Sequence, residues 1–451
     1  MLRGAALGTL ALASGLEHVF GQPASRPNIV FIMADDLGYA DVACYGRPDL
    51  NTPNIDRIAA NGVRFLQAYA NSAVCSATRL ALITGRYQYR LPLGLEEPLA
   101  TPNTSVGLPP EHPTLPSLLK RIGYGTTLVG KWHLGALPKF GPLQSGYDHF
   151  YGFRTGALDY YAHTNTAQKD DLWDGDVAIH ETGYLTGLLG HRAVDVVNGY
   201  ARSRQPFLLS LHFNAPHWPW EAPGDESESN RVRSTGLTDY DGGSQKTYQR
   251  MIEAMDTQIG RVLQSLDANG LTSNTIVIFT SDNGGERFAD TWPFTGRKTE
   301  LLEGGLRIPS IVSWPDRIPK GRTTDQVSMT MDWHPTLLAA AGGAPDPAFA
   351  PRAAGHPRRR LQVPQDSRQH IPLQRPRRSD GTREPEGSAQ GGVRPAGRGV
   401  ARLERDDASR DRRQQHEQLY RRSAGRPHRR PENEHQGRQP HPSEKTGRPA
   451  L

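Results

Sequence analysis

Six short stretches of this chain carry side chains with chemistry to offer. Asp35-Asp36, in Ala-Asp-Asp-Leu-Gly, and Asp282-Asn283, in Ser-Asp-Asn-Gly-Gly, supply three carboxylates and an amide oxygen. Such hard oxygen donors suit a divalent cation, Ca²⁺ before Mg²⁺, and no His/Cys spacing favours zinc. Cys75 precedes a helix-compatible run from Ala77 to Ile83, with Arg79 one turn on. A side chain at a helix N-terminus meets unpaired N–H groups and the positive end of the dipole, a setting for chemistry on an anion. Lys131 with His133, then His217, then Lys298 add cations and imidazoles. Taken singly, each has an ordinary reading. Asp-Asp before a turn is commonly a cap, and a free cysteine is most often a small buried hydrophobe. Either lysine could be a solvated surface residue. His217, beside Trp218-Pro219-Trp220, could be a packed loop histidine.

The elements between them give these residues a common place. Asn28–Met33 reads as a buried strand that runs directly into Asp35-Asp36. Thr126–Val129 precedes Lys131 and His133, Phe207–Phe213 precedes His217, and Thr275–Thr280 precedes Asp282-Asn283. Helical patterns fall between these strands, at about 187–202 and 245–268, the second stopped by Gly270 as C-cap. Another helix starts at Thr52-Pro53, with Thr52 as N-cap and Ile55, Ile58, Ala59 and Val63 as its apolar stripe. This alternation predicts an α/β fold with a mixed, mostly parallel central sheet flanked by helices. In such sheets ligands sit at the carboxyl ends of the strands, so four polar strand ends predict one pocket.

The chain has 451 residues and a net charge of +6, with a mean hydropathy of −0.61. That average hides two regions. From Pro351 onward there are 23 arginines and one lysine against 12 acidic residues, a net of +12, which leaves −6 for the first 350. The last 101 residues hold only ten of the large apolar or aromatic types, too few to offset the entropy of ordering. Residues 349–451 therefore read as a disordered Arg/Pro/Gln-rich tail. From Pro351 onward Tyr420 is the only Phe, Tyr or Trp, so that stretch offers no stacking platform, and no specific nucleic-acid partner is expected. Residues 1–24 read as a signal peptide, with Arg3 ahead of a short apolar core, which predicts a periplasmic or secreted protein. No stretch approaches membrane-spanning length. The two cysteines, Cys44 and Cys75, imply no disulfide framework, and Cys44 is expected as a small buried apolar residue.

Seven motifs, in order, resemble those of the type I, formylglycine-dependent sulfatases. They are Asn28–Gly38, Thr52–Asp56, Cys75–Gly85, Gly130–Gly135, Ala215–His217, Ser281–Gly284, and Lys298 with Glu303–Pro309. The resemblance covers Arg26 to Gly343, so residues 25–348 are expected to form the catalytic domain, with an alkaline phosphatase-like fold. It implies that Asp35, Asp36, Asp282 and Asn283 bind the metal together with Cys75, once a maturation enzyme has converted Cys75 to formylglycine. It further implies that Arg79, Lys131 and Lys298 steady the nucleophile and clamp the sulfate oxygens, that His133 contacts formylglycine, and that His217 is the general acid. The hydrated aldehyde would attack sulfur with one hydroxyl and expel sulfate with the other. The implied activity is hydrolysis of sulfate monoesters, the substrate a sulfated small molecule or carbohydrate, with Trp218, Trp220 and Trp292 available to stack on sugar rings.

The chain departs from the pattern in two places. Ala77 stands where many relatives have proline. The small C-terminal α+β subdomain usual in the family is expected to be missing or replaced by the arginine-rich stretch, the kind of text a shifted reading frame in GC-rich DNA would produce. A phosphodiesterase or phosphonate monoester hydrolase of the same superfamily, or an inactive truncated sulfatase, are the alternatives.

Overall fold

The computed structural model describes residues 26–99, 103–236, 242–344 and 346. The expected signal peptide and the arginine-rich tail lie outside the described residues. Among those described, no helix is long and apolar enough to cross a membrane.

The centre of the molecule is a ten-stranded sheet. Thr275–Ser281, Asn28–Ala34, Phe207–His212, Gly125–Lys131 and His149–Phe153 lie side by side in that order, all parallel. Ser310–Ser313 joins antiparallel beside Thr275–Ser281, followed by Gly62–Phe65 and Arg322–Thr324. At the other edge Trp173–Asp174 and Val177–Ala178 add two short antiparallel strands. The mixed, mostly parallel sheet is thus as the sequence predicts.

Alternation of side chains explains why the strands read as unbroken apolar runs. Ile29, Phe31 and Met33 face one layer, where they join Leu80 and Leu82 of helix Cys75–Thr84, Leu118 of Leu115–Arg121, and Leu337 of Trp333–Ala340. Val30, Ile32 and Ala34 face the other layer, with Leu189 and Ala193 of Leu185–Ser203 and Met255 and Ile259 of Gln245–Ala268. A parallel strand covered on both faces has no polar side to show. Gln245–Ala268 needs only one apolar stripe, and Met251, Ile252, Met255, Ile259, Val262 and Leu266 supply it at helical spacing. The Ser244 side chain caps it by accepting from Thr247 N–H at 3.0 Å, and Gly270, at φ 66°, follows the Asn269 cap.

Two local expectations are corrected. Thr52 is the N-cap residue of helix Pro53–Ala60, with its hydroxyl accepting from Ala43 N–H at 3.0 Å and not from the helix, but Val63, expected on that helix's apolar stripe, lies past its end in strand Gly62–Phe65. Cys44 is half-buried, not buried, because it sits in a surface turn whose N–H donates to Asp56 at 2.9 Å.

Candidate active site

The five parallel strands end at one edge, and their ends are laced together where the polar residues begin. Asp35 N–H donates to the Ala215 carbonyl at 3.1 Å and Asp282 N–H to that of Ala34 at 3.2 Å. The Ser281 hydroxyl accepts from Leu37 N–H (3.0 Å) and donates to the Asn283 carbonyl (2.9 Å), tying the two acidic turns to each other. Cys75 reaches the same edge from below as the first residue of helix Cys75–Thr84, every residue of which is buried. That helix starts two residues earlier than the apolar run suggested and places position 75 directly at its N-terminus.

All ten residues singled out from the sequence meet here. Asp282 receives Arg79 through Nε (3.0 Å) and Nη2 (2.8 Å). Asp35 receives Lys131 Nζ at 2.6 Å. Asp36 receives Lys298 Nζ and Asn283 Nδ2, each at 2.7 Å. Atoms of Asp35, Cys75 and Asp282 lie within 4.8 Å of one another, as do atoms of Asp35, Asp36 and His217. The two histidines have defined tautomers. His133 Nε2 lies 3.2 Å from the Leu99 carbonyl, which can only accept, so Nδ1 is bare and takes the Cys75 thiol at 3.3 Å. His217 Nδ1 likewise donates to the Trp218 carbonyl at 2.5 Å, leaving Nε2 to accept from Lys298 at 3.0 Å.

Charge explains the titration of the cluster. Burial, then the Asp282 charge, push Asp35 well above the ordinary carboxylate range. Burial also opposes ionisation of Asp282, but Arg79 and Lys131 outweigh it and hold its carboxyl at about 2. Burial and the nearby Lys131 and Lys298 charges keep His133 and His217 neutral, both well below the usual histidine value. Burial raises the Cys75 thiol against the pull of Lys131 and Lys298. Asp36 (φ 64°), His133 (φ 57°) and Thr299 (φ 72°) adopt left-handed backbone, which costs energy for residues with a Cβ and clusters where side chains must be aimed.

The donor set fits a hard divalent cation. Asp35 Oδ1 and Asn283 Oδ1 are buried oxygens with no hydrogen-bond partner, and an oxygen left so is costly unless something positive takes it. Three carboxylates face three cationic side chains, so a bound divalent ion would leave a positive pocket for an anion.

The sulfatase family model matches residues 27–344. The chain belongs to the sulfatase family. Mouse arylsulfatase J is 34% identical over 332 residues, an alignment covering 71% of this chain and 54% of that protein. Human N-acetylgalactosamine-6-sulfatase is 34% identical over 343 residues, covering 71% and 63%. The chain therefore spans less than two thirds of the length of these curated relatives. Among solved structures, Ps i-CgsB in complex with k-i-k-neocarrahexaose is 33% identical with a TM-score of 0.64, covering 71% of this chain and 73% of that one.

The sequence did not point to Glu286. Burial and the Asp36 charge push its carboxyl up to about 7, against the pull of Lys298. Its position in the same turn as Asp282-Asn283-Gly-Gly is the signal that could have found it. The tryptophans separate: Trp220 is a core residue packed edge-on against Phe288 (4.8 Å), so it cannot stack on a sugar, whereas Trp218 is half-buried and Trp292 exposed.

Proposed function

We propose that this chain hydrolyses sulfate monoesters of a carbohydrate, with formylglycine made from Cys75 as its nucleophilic residue. The observation that carries this reading is the convergence of Cys75, three carboxylates, Asn283 and three cationic side chains on one strand edge, with two buried oxygens left for a cation. The carbohydrate rests on the relatives' names, an N-acetylgalactosamine-6-sulfatase and an enzyme complexed with a neocarrahexaose.

Asp35, Asp36, Asp282 and Asn283 would hold the cation, Ca²⁺ before Mg²⁺, and it would supply Lewis-acid charge beside position 75. Formylglycine at that position would supply a side chain that takes up the sulfuryl group and then releases it. The remaining work falls to the chain's own side chains. Arg79 fixes the orientation of Asp282 through two nitrogens. His133, with Nδ1 bare, accepts a proton from whatever stands at position 75. Lys131 and Lys298 flank the position where sulfate oxygens gather charge and stabilise it there. His217 stands against Lys298, with Nε2 3.0 Å from Nζ, and in its protonated form would serve the leaving oxygen as general acid.

The test is sulfate release, measured by ion chromatography, from 4-nitrophenyl sulfate and sulfated saccharides by protein produced with a formylglycine-generating enzyme. Peptide mass spectrometry across residue 75 is done on the same sample. Turnover with Cys75 still a thiol, or faster cleavage of the matching phosphate esters, would overturn the proposal.

A further inference from the structure

Beside His133 the surface opens into a cavity of about 250 Å³, several times the ~30 Å³ share of one water. Its wall is built from residues that follow two adjacent parallel strands. His133 comes after Gly125–Lys131, and Arg154 and Thr155 come after His149–Phe153. The cavity thus starts at the imidazole that touches Cys75.

The polar groups around it are mainly donors. Asn103 Oδ1 is taken by the N–H groups of Ser105 (2.9 Å) and Val106 (2.6 Å). Asn165 Oδ1 is taken by those of Ala167 (2.9 Å) and Lys169 (3.3 Å). An N–H can only donate, so each amide oxygen is fixed and each amide nitrogen remains as a donor on a cavity-lining residue. Lys169 adds an exposed ammonium. Arg154 is the central feature, only 5% exposed. Its Nη2 is used by the Gly175 carbonyl (3.0 Å) and Asp176 (2.8 Å), and the Trp173 ring covers its guanidinium at 4.0 Å. Its Nε and Nη1 donate to nothing among the described residues. The acceptors are fewer. Asp171 is committed, with Oδ1 taking Arg154 N–H and Trp173 Nε1 and Oδ2 taking the Thr155 N–H and hydroxyl. Asp170 is exposed at the wall and lies 3.9 Å from His180.

We propose that this cavity is an accessory subsite for a second anionic group, a sulfate or a carboxylate, on the same substrate. The substrate class is then a multiply charged saccharide, not an isolated monosulfate. This rests on the sulfate-ester reading above and adds to it. A buried guanidinium with unmade N–H bonds is costly, and an oxyanion is the partner that satisfies it most strongly.

The experiment compares three disaccharides, each with one cleavable sulfate. One carries a second sulfate on the neighbouring sugar, one a carboxylate, and one no further charge. The matured full chain with Ca²⁺ is assayed as wild type, Arg154→Met and Lys169→Ala. Wild type should favour a doubly charged substrate over the neutral-neighbour one in kcat/KM, and the better of the two identifies the group. Arg154→Met should cut that ratio about tenfold or more. Lys169→Ala, a surface change that leaves folding intact, should cut it a few-fold and weaken its salt dependence. A wild-type ratio near one, or an equal loss on all three substrates, overturns the subsite. If wild type releases no sulfate from any of them, the reaction reading has failed, and calorimetry still decides the subsite. Tighter binding of a doubly charged disaccharide to wild type but not to Arg154→Met supports it, and equal affinities overturn it.

Discussion

His217 gives the clearest chemistry to test at the level of single residues. A general acid matters most when the leaving oxygen is basic and little when it is already a good leaving group. His217→Gln should therefore slow hydrolysis of a sugar sulfate by about 10²–10⁴ while costing far less on 4-nitrophenyl sulfate. Burial and Lys298 hold His217 neutral at ordinary pH, so its acid form grows only as pH falls. The rate on the sugar ester should rise from about pH 8 to about pH 5, and that slope should vanish in His217→Gln on a pH-rate profile. His212 offers a matching test of stability. Burial pushes its imidazole down to about 3, and the unfolded chain, near 6.5, binds the proton more readily. Stability from this group is therefore complete above the unfolded value and lost as pH falls towards the folded one. Urea titrations should show the gap between wild type and His212→Gln closing by about 1.4 kcal/mol for each pH unit below about 6.5. Of the residue-level contacts, the sequence alone could suggest that Asp35-Asp36 and Asp282-Asn283 share a pocket, because both directly end apolar strands. The strand-end argument could not show that Cys75 meets His133, since it does not encode which way a loop imidazole turns; that contact was implied only by the family resemblance.

Secondary-structure elements set the position of this chemistry, and the sheet tolerates little change near it. Gly130 sits one residue before Lys131 at φ 109°, and a Cβ there would stand 1.8 Å from the His212 carbonyl oxygen of the neighbouring strand. Gly130→Ala should destabilise the fold by more than the ~1 kcal/mol typical of a point mutation and displace Lys131, seen as a lower melting temperature with a loss in kcat. Ile32→Ala, in the middle of the central strand, should cost about 2–5 kcal/mol in denaturant titration without changing substrate choice. The central strands were legible because double burial writes them as continuous apolar runs. The outer strands were not: Gly62–Phe65 and Trp173–Asp174, each next to an edge, are four and two residues long, too short to carry a period. Lys298 follows no strand, so only the family resemblance, and not the strand-end argument, led to it.

For the whole molecule, a cation held by the three carboxylates and Asn283 would couple its binding to folding. A ligand that binds only the folded state adds about 2.7 kcal/mol at a hundred times its dissociation constant. Millimolar Ca²⁺ should raise the melting temperature, EDTA should lower it, and Asp36→Asn should shrink the difference in a thermal scan. An unchanged melting temperature in all three would argue against a cation at these residues. The catalytic architecture also constrains the order of events during synthesis. Cys75 is 3% exposed in the finished fold, beneath the strand ends that surround it. The strand Thr275–Ser281, which brings Asp282, leaves the ribosome 200 residues after Cys75. At roughly 5–20 residues per second, that delay lasts about 10–40 seconds. On the proposed reading, an enzyme that oxidises Cys75 would have to reach it before that strand joins the sheet, while the segment is still an open ribbon, because the completed sheet shuts it away.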